Sequence, residues 1–115
     1  MRRVLVVDDH PDTASILAAL ILRMGHEARF ATSCDEALEV VETFRPDIAF
    51  IDIAMPKVNG FECARRLLDK LGDPIRFIAI SGYAPALWPQ GPELFEKYLL
   101  KPVTKITLLH LIGEP

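Results

Sequence analysis

Short apolar runs alternate with amphipathic segments along this 115-residue sequence, and this alternation restricts the choice of fold more than any other feature. The run Ile48 to Ile51 is too short for a helix of its own and is rich in β-branched and aromatic residues, which is typical of a buried strand. The predicted strands are Arg3 to Val7, Glu27 to Ala31, Ile48 to Ile51, Arg76 to Ile80 and Tyr98 to Leu100.

The segments between these strands carry apolar residues at helical spacing. Pro11 and Asp12 favour a helix that begins near position 12, and Gly25 is typical of the left-handed cap that ends one. The other predicted helices are Asp35 to Phe44, Phe61 to Leu71, a short one over Glu93 to Lys97, and Thr104 to Ile112. Strands that alternate with helices through right-handed crossovers give a parallel sheet covered on both faces.

Four of the five predicted strands end in side chains that can take part in chemistry. These are Asp8 and Asp9 after the first strand, Asp52 after the third, Ser81 after the fourth and Lys101 after the fifth. The four strand ends converge only if the first and third strands are neighbours, as in the flavodoxin-like order 2-1-3-4-5. The sequence therefore predicts a single flavodoxin-like (βα)5 domain over residues 1–115, with these groups in one crevice.

Two strands that end in acids are the pattern of a shared cation site. A carboxylate that attacks phosphorus needs the phosphoryl oxygens neutralised, and Mg²⁺ prefers a few carboxylates together with water and phosphate. Lys101 can contact a phosphoryl oxygen as a point charge, and Ser81 can donate a hydrogen bond to another. Asp52 alone reads equally well as a turn residue after a strand, but the groups together favour a functional site.

Composition excludes several other classes of protein. The net charge is −3 and the basic residues are scattered, so nucleic acid is not an expected partner. Cys34 and Cys63 lack the spacing of a redox or zinc motif, and acids by position 8 argue against a cleavable signal. No apolar run is long enough to cross a bilayer. We therefore expect a cytoplasmic protein with no membrane association.

From Arg3 to Ile112, the chain resembles the receiver domain of bacterial two-component response regulators. The matching residues are the pair Asp8-Asp9, Asp52 within Asp-Ile-Ala-Met-Pro, Gly60, Ser81, and Lys101-Pro102 after the aromatic Tyr98. The resemblance implies that a histidine kinase or a histidine phosphotransfer protein phosphorylates Asp52. It implies that the response passes to an unidentified downstream protein.

The resemblance also implies roles for the neighbouring groups. Asp9, Asp52 and the backbone carbonyl of Ala54 would bind Mg²⁺, with Mn²⁺ as the alternative cation, and Asp8 would hold the cation through water. Ser81 and Tyr98 would form a switch in which the aromatic ring moves inward when the hydroxyl is drawn to the phosphoryl group. The structural alternative for Tyr98 is a plain core residue.

Three alternatives to a self-contained receiver share parts of this pattern. A Mg²⁺-dependent phosphatase with an aspartate nucleophile carries a second acid two positions later, where this sequence has Ala54. A receiver excised from a hybrid histidine kinase would look the same in sequence. An interaction module that has lost phosphorylation would lack Asp9, Asp52 or Lys101, and all three are present.

The segment between Ser81 and Lys101 departs from the family pattern. Pro85, Pro89 and Pro92 forbid a continuous helix before about position 92. We therefore predict an irregular loop over Tyr83 to Gly91 and a shortened or irregular fourth helix of one or two turns from near Pro92. Because this region is a usual dimer surface of the family, we expect a monomer or a weak dimer without an output domain.

Overall fold

The computed structural model describes residues 1–72, 74–82 and 94–114. Its strands are β1 (Arg3–Val7), β2 (Glu27–Ala31), β3 (Ile48–Asp52), β4 (Arg76–Ser81) and β5 (Phe95–Leu100). They form one sheet in the order β2-β1-β3-β4-β5, and every pairing is parallel. The predicted flavodoxin-like topology is therefore confirmed.

Four helices are described, and each begins with a recognisable capping residue or proline. They are α1 (Pro11–Arg23), α2 (Cys34–Val40), α3 (Gly60–Leu71) and α4 (Lys105–Ile112). Pro11 occupies the first turn of α1, where its missing N–H costs nothing. The side chains of Ser33, Asn59 and Thr104 accept the backbone N–H groups at the starts of the other three. Gly25 has the positive φ expected of a residue that follows a helix.

The helices cover both faces of the sheet, and each face has its own hydrophobic core. Helices α1 and α4 pack on one face, and α2 and α3 pack on the other. All five residues of β3 are buried because this strand lies in the middle of the sheet. Hydrophobic burial on both sides thus fixes the position of Asp52 at the end of the central strand.

Two predicted boundaries are wrong. Helix α2 ends at Val40 rather than Phe44, although Val41 and Phe44 are buried as their spacing indicated. The predicted short helix over Glu93 to Lys97 is wrong for Phe95 onward, where the chain is already strand. Phe95 is buried, and its ring centroid lies 6.0 Å from that of Phe77 on the neighbouring strand, so core packing extends β5. The loop predicted over Tyr83 to Gly91 lies outside the described residues.

The two ends of the described chain meet at His26. Its ring is 3 % exposed; Nδ1 accepts the backbone N–H of Arg2 at 3.0 Å, and Nε2 lies 2.9 Å from the carbonyl oxygen of Gly113. Both contacts are satisfied by a neutral ring that carries its proton on Nε2. His26 therefore connects the two ends of the described chain at the amino-terminal end of the strands, opposite the end that carries Asp8 and Asp52.

No helix within the described ranges is both long and apolar enough to span a bilayer.

Candidate functional site

The four predicted strand ends converge at the carboxyl edge of the sheet. Asp8 follows β1, Asp52 ends β3, Ser81 ends β4 and Lys101 follows β5. Asp8 and Ser81 are fully buried, and Asp52 is 3 % exposed. Buried carboxylates are costly unless they are paired or bind a cation, so this cluster has the character of a functional site.

Both carboxylate oxygens of Asp52 have partners. Oδ1 accepts the backbone N–H of Ala54 at 3.0 Å, and Oδ2 lies 3.2 Å from Nζ of Lys101. Burial raises the pKa of Asp52 above its ordinary value, because it outweighs the opposing effects of Ala54 and Lys101. The carboxylate is thus held in a fixed orientation without being strongly stabilised in its charged form.

Lys101 bridges two acids that belong to different strands. Its Nζ lies 2.7 Å from Oδ2 of Asp8 and 3.2 Å from Oδ2 of Asp52. Burial alone would lower the pKa of Lys101, but the two carboxylates outweigh it and the pKa is raised. The backbone N–H of Lys101 also donates to the carbonyl of Ser81 at 2.8 Å, which continues the pairing of β5 with β4 up to the site.

The acidic pair is arranged as a cation site would require. Asp8, Asp9, His10 and Asp52 each offer a ligand atom, and these atoms lie within 4.8 Å of one another. Asp8 already has partners, because its Oδ2 lies 2.7 Å from Nζ of Lys101 and its Oδ1 accepts the backbone N–H of His10 at 3.0 Å. Among the described residues, the buried Oδ1 of Asp9 accepts no hydrogen bond. A buried carboxylate oxygen without a hydrogen bond suits a hard divalent cation, so the residues present fit the Mg²⁺ that the sequence predicts.

Gly60 allows the start of α3 to pass close to Asp52. A Cβ atom at this position would lie 2.6 Å from the backbone oxygen of Asp52 and 2.6 Å from Cα of Ile53. The backbone N–H of Gly60 donates to the carbonyl of Ile53 at 3.2 Å. The glycine therefore holds the loop after β3 against the strand that carries the acid.

An open cleft of about 340 Å³ lies beside Asp52. It is lined by His10, Thr13, Asp52, Ala54, Gly82 and Lys101. His10 directly follows the acidic pair, a position that predicts a residue at the rim of the site, whereas Thr13 reads as helix-start chemistry and is not predicted to belong to the site. Thr13 lines the cleft because of the direction in which α1 leaves the site, and the sequence alone does not show this direction. Ala54 reaches this cleft, and the role of its carbonyl as a cation ligand stays a prediction.

Tyr98 lies in β5, away from the acids, and is half-buried. Its ring centroid is 5.8 Å from that of Phe95 and 6.5 Å from that of Phe61. It pairs in register with Ala79, two residues before Ser81 on the neighbouring strand. The tyrosine is thus close to the predicted hydroxyl partner along the sheet, and its role as a switch stays a prediction.

Comparison with known proteins identifies the family. The family model described as response regulator receiver domain matches residues 4–113, so the chain belongs to that family and is a phosphoacceptor domain of two-component signalling. The protein PilH of Pseudomonas aeruginosa is 29 % identical over 117 residues, which cover 98 % of this chain and 96 % of PilH.

Two solved structures extend this likeness. The response regulator TrrA of Thermotoga maritima, solved in complex with Mg²⁺ and BeF, is 26 % identical with a TM-score of 0.82, over 97 % of this chain and 96 % of TrrA. A structure of TrrA in complex with the histidine kinase ThkA is also similar, with 27 % identity, a TM-score of 0.80 and coverage of 97 % and 96 %. The family assignment favours a signalling phosphoacceptor over the phosphatase alternative.

Proposed function

We propose that Asp52 accepts the phosphoryl group in a Mg²⁺-dependent reaction. The observation that carries this proposal is the double contact of Lys101 Nζ with Asp8 at 2.7 Å and with Asp52 at 3.2 Å. Through Lys101, the buried carboxylate of Asp52 at the open cleft is linked to Asp8, an acid of the proposed cation site. The complex of TrrA with Mg²⁺ and BeF supports the same use of the site here.

The reaction forms a bond between phosphorus and a carboxylate oxygen of Asp52 while the bond to the donor breaks. For a phosphohistidine donor, the imidazole nitrogen leaves with the electron pair of the P–N bond and the product is an acyl phosphate. Asp8, Asp9 and Asp52 would hold the cation, which neutralises phosphoryl oxygens when bound. Lys101 supplies a second positive charge, and Ser81 supplies a hydroxyl donor from the end of β4.

We place the phosphodonor, a histidine kinase or histidine phosphotransfer protein, on an apolar groove beside the cleft. The groove has a volume of about 410 Å³; Ile16, Leu20 and Val103 line its apolar part, and Lys101 lines it as well. Ile16 is 68 % exposed, whereas the adjacent Leu17 is buried in the core, so a large apolar side chain of α1 faces solvent at the groove. A donor seated there would bring its phosphohistidine within reach of Asp52, and the complex of TrrA with a histidine kinase supports such a partner.

Acetyl phosphate tests the assignment of Asp52 without a protein donor. With Mg²⁺ present, we expect one acid-stable, base-labile phosphoryl group on the wild-type chain and none on Asp52→Asn. Full labelling of Asp52→Asn would contradict the proposal.

A second substitution tests the donor surface separately. Ile16→Asp places a charge in the groove and touches none of the acids, so labelling by acetyl phosphate should be unchanged. Transfer from a cognate histidine kinase should slow at least tenfold, the cost of about 1.4 kcal/mol of lost contact. Equal transfer rates in the wild type and the variant would show that the donor docks elsewhere.

The response to phosphorylation would travel along β4 and β5. Ser81 would move towards the phosphoryl group, and Tyr98 would follow into the space near Ser81. The altered surface would then bind a downstream protein, with the two states differing in population rather than in fold.

A further inference from the structure

We propose that His10 is an additional, nitrogen-donating ligand of the cation site, which strengthens the binding of the later first-row divalent metals relative to that of Mg²⁺. This inference rests on the proposed cation site and adds a residue that the receiver resemblance does not assign. Its basis is the position of one imidazole nitrogen against two carboxylates. Nδ1 of His10 lies 3.3 Å from Oδ1 of Asp8 and 3.4 Å from Oδ1 of Asp9.

These distances fit ligands that share one metal ion. Two ligand atoms that each lie about 2.1 Å from a metal are separated by about 3.0 Å at a right angle and about 3.4 Å at a tetrahedral angle. Nδ1 of His10 therefore already lies at the separation of a neighbouring ligand from each of the two carboxylate oxygens. Asp52 belongs to the same group, with its ligand atom within 4.8 Å of the others.

The backbone holds His10 in this place. Its N–H donates to Oδ1 of Asp8 at 3.0 Å, and its extended conformation precedes Pro11, which fixes the first turn of α1. The side chain itself is 70 % exposed, so a metal can reach it from the cleft without displacing core residues. Lys101 contacts the other oxygen of Asp8, Oδ2, and so leaves the Oδ1 side to the imidazole.

The type of ligand atom determines which metal binds more tightly when His10 takes part. Mg²⁺ is a hard cation that favours oxygen and keeps several waters, so one imidazole adds little to its affinity. Imidazole suits the later first-row metals, and Co²⁺, Ni²⁺ and Zn²⁺ should therefore gain from His10. A simple ion pair between a charged imidazole and the two acids makes the opposite prediction. Removing that charge would strengthen the binding of every divalent cation alike.

The dissociation constants of Mg²⁺ and Co²⁺ distinguish the two arrangements. In His10→Ala and His10→Gln, we expect Co²⁺ binding to weaken about tenfold or more, because loss of a direct ligand should cost at least as much as loss of a group that orients one. The dissociation constant of Mg²⁺ should change by less than about threefold, because Mg²⁺ prefers oxygen ligands and gains little from an imidazole. His110→Ala removes an exposed histidine on α4 and should change neither constant. Glutamine keeps a polar side chain of similar size, so it separates loss of the imidazole from loss of bulk.

A second readout reports the metal–nitrogen bond directly. In the Co²⁺-loaded wild type, the NMR spectrum should contain one solvent-exchangeable proton shifted far outside the diamagnetic range, from Nε2–H of the bound imidazole. The signal should vanish in His10→Gln and persist in His110→Ala. An unchanged signal in His10→Gln, or parallel changes in the affinities of both cations, would overturn the inference. If the wild type binds Mg²⁺ while the ratio of affinities is insensitive to His10, only this inference fails. If it binds neither cation, the proposed cation site fails as well.

Discussion

Nζ of Lys101 lies 3.2 Å from Oδ2 of Asp52, although a complete strand, β4, separates the strands from which the two residues come. The lysine thus reaches over the end of β4, where Ser81 lies, to contact the acid of β3. Any group added to Asp52 must displace or engage the lysine. The contact therefore couples the chemistry at Asp52 to the position of β5.

The first prediction concerns this coupling. Lys101→Ala should still bind Mg²⁺, but the environment of Tyr98 should no longer respond to beryllofluoride, because the charge that links the phosphoryl mimic to β5 is absent. Without Mg²⁺ the variant should also lose about 3 kcal/mol of stability, since two buried carboxylates lose their partner. NMR of Tyr98 and urea unfolding measure the two effects. Lys97→Ala removes an exposed lysine of the same strand and serves as the control; a wild-type response in Lys101→Ala would refute the coupling.

The second prediction concerns the cation. Mg²⁺ that binds only the folded protein should stabilise it by about 2.7 kcal/mol at one hundred times its dissociation constant. Asp9→Ala should lose this effect and should be more stable than the wild type without Mg²⁺, because like charges no longer crowd the site. Asp12→Ala removes an equal charge from the exposed first turn of α1 and should keep the full effect. Melting curves with and without Mg²⁺ are the measurement, and equal shifts in both variants would contradict a shared site.

Much of this site could be predicted because strand ends are set by apolar runs. Asp8, Asp52 and Ser81 lie at the ends of buried strands and Lys101 follows the edge strand β5, and the strand order that brings them together is confirmed. Local patterns could not show where β5 begins. Phe95 becomes strand because its ring fills the core between Phe77 and Phe61, a long-range contact that local propensity does not record.

The buried role of His26 was equally hidden. His26 follows the helix-ending Gly25, a position that predicts a turn residue, whereas in the structure its two ring nitrogens contact backbone atoms of Arg2 and Gly113, near opposite ends of the chain. The partner Gly113 is 87 positions away, and sequence spacing carries no information about such a pair. The same limit applies to Thr13, whose place at the cleft depends on the direction in which α1 leaves the sheet.

The third prediction concerns Gly60. In Gly60→Ala the new Cβ would meet backbone atoms of Asp52 and Ile53 that cannot move as a flexible side chain could. We expect a loss of about 1 to 3 kcal/mol in urea unfolding and a displaced Asp52. An added Cβ at Gly82 meets no atom within 4 Å among the described residues, so Gly82→Ala should change stability by less than about 0.5 kcal/mol. If Gly60→Ala and Gly82→Ala have the same free energy of unfolding, the close packing of Gly60 against Asp52 and Ile53 does not exclude a Cβ atom and the prediction is wrong.

The fourth prediction concerns pH and the ion pair between β4 and β5. Nε of Arg76 lies 2.8 Å from Oε1 of Glu96, and the hydrogen bonds from this guanidinium lower the pKa of Glu96 below its ordinary 4.5. A lowered folded-state pKa contributes stability above pH 4.5 that is lost as the pH falls through the lowered value. Glu96 is partly exposed, so Glu96→Gln should cost less than about 1 kcal/mol at pH 7, and this difference should vanish in acid.

Urea unfolding between pH 7 and pH 3 checks this dependence. Glu39→Gln, an exposed substitution on α2, provides the control for the loss of a negative charge. If the difference in the free energy of unfolding between the wild type and Glu96→Gln grows as the pH falls, the pKa of Glu96 is not lowered in the folded protein and the prediction is wrong.

Borohydride trapping tests the central claim most directly, because it reduces an aspartyl phosphate to homoserine and marks the residue that carried the phosphoryl group. After incubation with acetyl phosphate and Mg²⁺, peptide mass spectrometry should find homoserine at position 52 and unmodified aspartate at positions 8 and 9. Homoserine at position 8 or 9, or the same yield of homoserine elsewhere in the Asp52→Asn variant, would contradict the assignment of Asp52 as the phosphoacceptor.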